Sequence, residues 1–252
     1  MNGLRRAIVL LTRIPLGTQT TPPSLDGIAA WFPVVGVIVG LVVAGAYVVL
    51  YPWMPSLLAA VVAILVGILV TGAFHEDGLA DTFDSLGAEG DREEALAIMR
   101  DSRLGTYGIV ALVGSILLRV VTLGSMEPWL ALAALAAAHA LARSAPVVLM
   151  ATTSPARSEG LGLSGVAGAD TAGAIVAVAI GVSVTALALG WWTLAAVLLV
   201  ALATLVIRRL ALRKVGGITG DMLGAGEQLG EISVMVVAAV AGWQGWMPWW
   251  AG

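Results

Sequence analysis

Asp77, Asp81 and Asp84 stand at i, i+4 and i+7 in the stretch Thr71-Gly-Ala-Phe-His-Glu-Asp-Gly-Leu-Ala-Asp-Thr-Phe-Asp. On a helix this spacing gathers three carboxylates within about 60° of arc and about 11 Å of axis. Like charges stacked in this way repel by roughly a few tenths of a kcal/mol per pair even when exposed, and a divalent cation would reverse the sign. Oxygen-only ligands suit Mg²⁺, Mn²⁺ or Ca²⁺, and Mg²⁺ commonly keeps positions for water and substrate phosphate. The plain alternative is a solvated acidic helix end. His75 and Glu76, beside the triad, could supply a base or further ligands, although a lone interfacial His is more often a hydrogen-bonding residue.

Two further polar stretches could serve the same chemistry. Met99-Arg-Asp-Ser-Arg-Leu-Gly-Thr-Tyr-Gly offers Arg100 and Arg103 on flexible Gly-flanked backbone, and a guanidinium fork suits a phosphate. Asp101 either joins that substrate contact or locks Arg103 through an ion pair. Downstream, Val215-Gly-Gly-Ile-Thr-Gly-Asp runs into Gly-rich acidic sequence ending at Glu231. Gly216, Gly217 and Gly220 permit close backbone approach to a ligand, while Thr219 and Asp221 supply hard oxygen. Neither a Walker Lys nor a dinucleotide-fold context is present. If this segment faces the triad, Asp221 would complete a metal site between helices. Glu89, Asp91, Glu93 and Glu94 read instead as a solvated surface helix with Ala95 to Met99.

The elements that must position these groups are set by composition. The chain has 252 residues, 59% of them hydrophobic, with 13 Lys+Arg and 16 Asp+Glu making only 12% charged. A mean hydropathy of +0.97 cannot be hidden inside one water-soluble domain of this length, so lipid is the expected solvent. A bilayer core about 30 Å thick needs on the order of 20 apolar residues per helix. Seven runs qualify: 32–51, 55–74, 107–124, 128–150, 171–190, 192–207 and 232–250. Trp53, Trp129, Trp191, Trp192, Trp243, Trp246, Trp249 and Trp250 fall at their ends, as interfacial Trp does. Residues 1–31 carry Arg5, Arg6 and Arg13, then the Pro22-Pro23 pair, and read as an interfacial amphipathic segment rather than a cleaved signal.

The expected architecture is all-α: a polytopic helical bundle of about seven transmembrane helices, one membrane-embedded domain over 1–252. With the N-terminus inside, 11 of the 13 basic residues lie on one face, and so do the catalytic loops 75–106 and 208–231. Only Arg119 and Arg143 fall within spans, where a charge must be paired or wet. Small residues such as Gly36, Gly40 and Gly45, the Ala133–Ala138 run, and Gly67, Gly114 and Gly181 predict close helix packing. Zero Cys removes disulfides, thiolate metal sites and a Cys nucleophile. A net charge of −3 without a Lys-rich tract gives no sign of nucleic acid as a partner. Homo-oligomerisation is left open.

At these residues the chain resembles the adenosylcobinamide-GDP ribazoletransferase, or cobalamin synthase, family. The resemblance rests on Leu11-Thr-Arg-Ile-Pro, Phe32-Pro-Val-Val-Gly, Thr71 to Asp84, Met99 to Gly108, Glu159-Gly-Leu-Gly and Gly216-Gly-Ile-Thr-Gly-Asp. Glu76 stands where that family usually has an apolar residue, so it inherits no role. The resemblance implies a Mg²⁺-dependent enzyme of a bacterial or archaeal plasma membrane, its active site on the cytoplasmic face. Its substrates would be adenosylcobinamide-GDP and α-ribazole or α-ribazole 5′-phosphate, with GMP leaving. It further implies Asp77, Asp81, Asp84 and Asp221 as metal ligands, Arg100 and Arg103 as phosphate contacts, and the Gly216–Gly220 loop as a backbone cradle. Rival readings are a CDP-alcohol phosphotransferase, whose full signature is absent, and a cation-coupled transporter, against which the acids cluster at a single face.

Overall fold

The computed structural model describes residues 3–16, 27–87, 89–158 and 160–250. The Pro22-Pro23 pair and Glu159 of the Glu159-Gly-Leu-Gly motif lie outside the described residues. Among these residues there is no strand, and the sole β-type pairing is an isolated parallel bridge between Pro155 and Ile218.

The N-terminal helix α1, Gly3–Leu11, is short and amphipathic, burying Ala7 and Leu11. It leads, through a 3₁₀ turn at Ala29–Trp31, into α2, Phe32–Leu50. The next apolar helix is α3, Ser56–Thr71, and α4, Phe74–Gly87, leaves it at 90°. That corner depends on two consecutive residues in the left-handed region, Gly72 at φ +70° and Ala73 at +58°. Then follow α5, Arg92–Ile98; α6, Thr106–Gly124; α7, Pro128–Ala142; α8, Ser144–Thr152; and α9, Leu161–Gly168. The chain closes with α10, Thr171–Leu189; α11, Thr193–Lys214; and α12, Gly220–Trp243.

The first, third and fifth apolar runs are helices with nearly the anticipated bounds, whereas the fourth is divided between α7 and α8 and the seventh belongs to a helix that begins twelve residues earlier, at Gly220. By length and composition five helical stretches could cross a membrane, or six if the bent pair α3–α4 counts as one. The difference from about seven comes from two features. One is the corner after α3, which is only 16 residues long. The other is Thr171–Lys214, a 44-residue stretch taken as one unit, although Gly190 (φ +55°) interrupts it between α10 and α11. Val178 and Val182 of α10 line the same cleft as Val197 and Ala201 of α11, so the two helices fold back on each other.

Close packing by small residues occurs where α2 meets α7. A Cβ at Gly36 or Gly40 would lie 2.1 or 2.4 Å from the carbonyl oxygen of His139 or Leu135, which a side chain could not tolerate. Gly181 approaches Ser144 and Leu141 in the same way, and Gly67 approaches Val43. Gly45 and Gly114 depart from the expectation, because each faces open space and neither mediates a helix contact. Exposed Leu69, Val110, Leu117, Leu187 and Leu194 clothe the outside in apolar surface, as a lipid-facing bundle requires.

The two ends differ. Tyr47 Oη donates to Met126 O at 2.8 Å and Ser56 Oγ to Gly124 O at 2.8 Å at one end, where exposed Trp53, Trp129, Trp191 and Trp243 also collect. At the other end α4, α5 and three connections are hydrogen-bonded together. Arg92 donates to Val215 O at 2.8 Å and to Ala156 O at 2.7 Å, and Lys214 donates to Gly90 O at 3.3 Å. The segments expected as catalytic loops are thus mostly helix: 75–106 contains α4 and α5, and 208–231 contains the end of α11 and the first half of α12. The polar residues 227–231 read as loop because no apolar run covers them, but their partners lie inside the bundle.

Candidate active site

Helix α4 has two faces of opposite function. His75, Glu76, Gly78, Leu79 and Thr82 are buried, while Asp77, Asp81 and Asp84 keep part of their surface exposed. The i, i+4, i+7 spacing thus forms one acidic stripe, as read from the sequence. Asp221 enters from α12. Gly78 makes this approach possible, since a Cβ there would meet Asp221 O at 2.7 Å, and no other residue lets the two backbones pass so closely. Thr219 caps α12 by accepting from Met222 N at 3.3 Å.

Asp77 and Asp221 line one polar cavity together with Phe74, Arg157, Thr219 and Gly220. About 570 Å³ of space, open mouth included, is free of atoms there. Arg157 NH1 lies 3.8 Å from Asp221 Oδ2, and its NH2 donates to Leu96 O at 3.0 Å. Helix α4 turns away from the apolar α3 and lies outside the spans, and there the Asp81 carboxyl is pushed up to about 7. Burial is the largest cause, followed by the charges of Asp77, Asp221 and Asp84, with Arg157 opposing. By charge the four aspartates form one electrostatic basin, of which Asp77 and Asp221 line the cavity and Asp81 and Asp84 do not.

Asp84 has a structural task that the sequence did not show. Its Oδ2 accepts from Gly105 N and its Oδ1 from Gly108 N, both at 2.7 Å, so its carboxylate sits on the first turn of α6. Gly105 and Gly108 are small because a Cβ at either would collide with that carboxylate. Each oxygen keeps a second lone pair, but the group is oriented by α6 first.

The expected phosphate contacts are placed differently. Arg103 pairs with Asp101 in a two-point bond, Nε and NH2 reaching Oδ1 and Oδ2 at 3.0 and 2.6 Å. The Asp101 carboxyl is held down at about 2, first by the hydrogen bond from the Arg103 side chain and then by that from its backbone. This is the ion-pair alternative for Asp101. Arg100, Asp101 and Arg103 do not line the acidic cavity, and Arg157 does. Of the Gly-rich loop only Thr219 and Gly220 reach the cavity, with Ile218. Gly216 is exposed at φ +72° near Arg92, and Gly217 packs against the 154–156 backbone, where a Cβ would meet Ser154 O at 2.6 Å. Beside them Ile218 joins the two loops, with Ala156 N donating to Ile218 O and Ile218 N to Ser154 O, both at 2.9 Å. Arg157 was visible in the sequence only as the one base between the fourth and fifth apolar runs.

His75 turns inward, away from the acidic cavity, so the structure does not place it as a base there. Its Nδ1 lies 3.5 Å from Glu227 Oε2, within a buried network from four helices. Arg119 of α6 reaches Glu76 at 2.9 Å and Glu231 at 3.3 Å. Arg143, between α7 and α8, reaches Glu227 at 3.0 Å, and His139 of α7 lies 3.2 Å from Glu231. These contacts answer the open question of Arg119 and Arg143, and give Glu76 an anchoring role. The carboxylates Glu76, Glu227 and Glu231 face two guanidiniums and two imidazoles, so one protonated imidazole or carboxyl makes the group neutral.

Among the described residues, His139, Glu227 and Glu231 are the only three His, Asp or Glu residues with ligand atoms within 4.8 Å of one another. Arg119 and Arg143 already answer those carboxylates, and a second cation there would meet their charge. The aspartate basin is looser but fits a hard divalent cation better. Its donors are all oxygen, its net charge is negative, and the buried Asp221 Oδ2 has no hydrogen-bond partner.

A family model described as CobS, cobalamin-5-phosphate synthase, matches residues 3–239. Three curated relatives carry the name adenosylcobinamide-GDP ribazoletransferase. That from Bradyrhizobium diazoefficiens is 46% identical over 246 residues, 94% of this chain and 92% of the relative. That from Azorhizobium caulinodans is 42% identical over 248 residues, covering 91% and 92%. That from Mesorhizobium japonicum is 39% identical over 253 residues, covering 96% and 94%. No solved structure matches the chain significantly.

Proposed function

The chain belongs to the cobalamin-5-phosphate synthase family, a family of multi-pass membrane enzymes acting late in cobalamin biosynthesis, and on that premise we propose that it joins α-ribazole, or its 5′-phosphate, to adenosylcobinamide-GDP. A ribose hydroxyl attacks the cobinamide-side phosphorus. The new phosphorus–oxygen bond replaces the one to the bridging oxygen, GMP leaves with that oxygen, and the hydroxyl proton is released. The reaction would take place at the cytoplasmic face of a bacterial or archaeal plasma membrane, the side to which the positive-inside distribution assigns α4, α5 and the 153–158 and 215–219 connections.

Asp77, Asp81 and Asp221 would hold Mg²⁺, with Asp84 contributing from α4 where the start of α6 orients its carboxylate. When bound, the ion supplies charge neutralisation of the pyrophosphate. Arg157 faces the same cavity and offers a guanidinium to a phosphate oxygen. The first turn of α12 brings the positive end of a helix dipole to the cavity beside Thr219 and Gly220. Asp221, which lines the cavity, would take up or orient the hydroxyl proton. Catalysis here rests on position and electrostatics, with little covalent work for the protein.

The observation that carries this reading is that Asp77 and Asp221, far apart in sequence, line one cavity with Arg157. The transporter alternative needs a passage along the buried ionisable groups, and the space there that the centre of a water molecule can occupy is about 10 Å³, room for roughly one water, against about 150 Å³ in the acidic cavity. The test is product analysis with the purified protein. GMP should appear only when adenosylcobinamide-GDP, α-ribazole and Mg²⁺ are all present. Release of CMP from a CDP-alcohol, or solute movement without GMP, would contradict the proposal.

A further inference from the structure

Beside the acidic cavity lies a second cleft of opposite character, sharing Phe74 and Gly220 with it. Leu10 and Leu11 of α1, Phe32 of α2, Met150 of α8 and Leu223 of α12 form its walls. About 420 Å³ there, mouth included, is free of atoms, and His75 is its one ionisable residue. We infer that this cleft seats the base of the acceptor nucleoside, a flat, neutral, methyl-bearing bicyclic aromatic ring. The sugar would lie at the Phe74–Gly220 border with its hydroxyl in the acidic cavity.

The assignment rests on the reaction proposed above and on three observations. First, four separate sequence motifs meet at this cleft: Leu11 from Leu11–Pro15, Phe32 from Phe32–Gly36, Phe74 and His75 from Thr71–Asp84, and Gly220 from Gly216–Asp221. The acidic cavity draws on only the last two of them. Second, the α1 wall is fixed. Arg13 N donates to Val70 O at 2.7 Å, and the Arg13 side chain fills the space beside Gly72, which ties the end of α1 to the corner from which α4 springs. Third, the lining discriminates. Guanine on the other substrate carries several donors and acceptors that this lining would leave unpaired, whereas a dimethylated benzimidazole buries apolar edges and stacks against Phe32 or Phe74. A lipid chain is the competing occupant.

The test is equilibrium dialysis of labelled α-ribazole against the purified full-length protein in phosphatidylcholine nanodiscs, with adenosylcobinamide-GDP measured in parallel. Binding is read without turnover, so a wild-type protein that binds α-ribazole but releases no GMP overturns the reaction and leaves the cleft standing. Leu10→Trp, which narrows the cleft, should raise the Kd for α-ribazole at least tenfold and that for adenosylcobinamide-GDP less than twofold. Leu10→Ala, which adds no bulk, should weaken α-ribazole several-fold with the same selectivity. Wild type should prefer α-ribazole to the nucleoside lacking both ring methyls by roughly tenfold. Equal weakening of both substrates, no effect of either variant, or a cleft that retains lipid at saturating α-ribazole would overturn the assignment.

Discussion

Glu76 and Arg119 meet at 2.9 Å in the interior of the bundle, with 6% and 4% of their side chains exposed. Their sequence neighbours are Asp77, which faces the acidic cavity, and the apolar residues of α6. This pair fastens the helix that carries the aspartates to a helix that crosses the apolar layer. The acidic face of α4 is consequently held in place from behind.

Breaking a buried pair leaves the surviving charge without compensation, at a cost of about 3–5 kcal/mol. Arg119→Met takes the guanidinium from Glu76 and leaves Glu231 with His139 alone. Its thermal midpoint in detergent should fall by on the order of 10 °C, whereas Glu76→Gln, which can still accept from Arg119, should fall by less than half as much. An unchanged midpoint for Arg119→Met would show that the network is not a structural anchor.

Asp81 sits among like charges, and its removal separates stability from activity. Asp81→Asn should leave the midpoint in EDTA unchanged or higher, because a repulsive charge is gone, while GMP release falls at least 100-fold. Activity within threefold of wild type would remove Asp81 from the chemistry.

Asp84 can be assigned by comparing two substitutions. Both carboxylate oxygens accept from the start of α6, whereas Asn has one acceptor oxygen and turns an NH2 donor toward the second N–H. Asp84→Asn and Asp84→Ala should therefore both lower the midpoint, by roughly a few degrees. If Asp84 only holds α6, both variants keep GMP release within tenfold of wild type at temperatures below their midpoints; a loss of 100-fold or more in the folded Asp84→Asn variant assigns Asp84 to the cation as well.

Arg157 lines the acidic cavity and Arg103 does not, which ranks them as phosphate contacts. Arg157→Ala should raise the KM for adenosylcobinamide-GDP at least tenfold, since the guanidinium faces the cavity. Arg103→Ala should change it less than threefold, because that side chain is spent on Asp101 at the surface. The reverse ranking would return the phosphate contact to the 100–103 loop.

What the sequence revealed and what it hid follow from the range of the forces involved. Apolar runs define spans locally, so α2, α6 and α10 could be read to within a residue or two. The acidic stripe on α4 was legible for the same reason, being a matter of helical period alone. The start of α12 was not, because Glu227, Gln228 and Glu231 look like loop residues until Arg119, Arg143 and Ser115 are known to meet them. Arg157 escaped notice because a single Arg in a connection carries no pattern, and only the bridge between Pro155 and Ile218 brings it to Asp221. Asp84 looked like a third equivalent ligand because its N–H partners on α6 lie 21 and 24 residues away.

The account depends most on one cation being shared between α4 and α12. Mn²⁺ binding, followed by electron paramagnetic resonance on the purified protein without substrates, tests this directly in wild type, Asp81→Asn, Asp221→Asn and the double variant. The account predicts that each single substitution weakens Mn²⁺ at least tenfold and that the double variant loses much less than the product of the two. Wild-type affinity in Asp221→Asn, or effects of the two substitutions that simply multiply, would contradict a shared site.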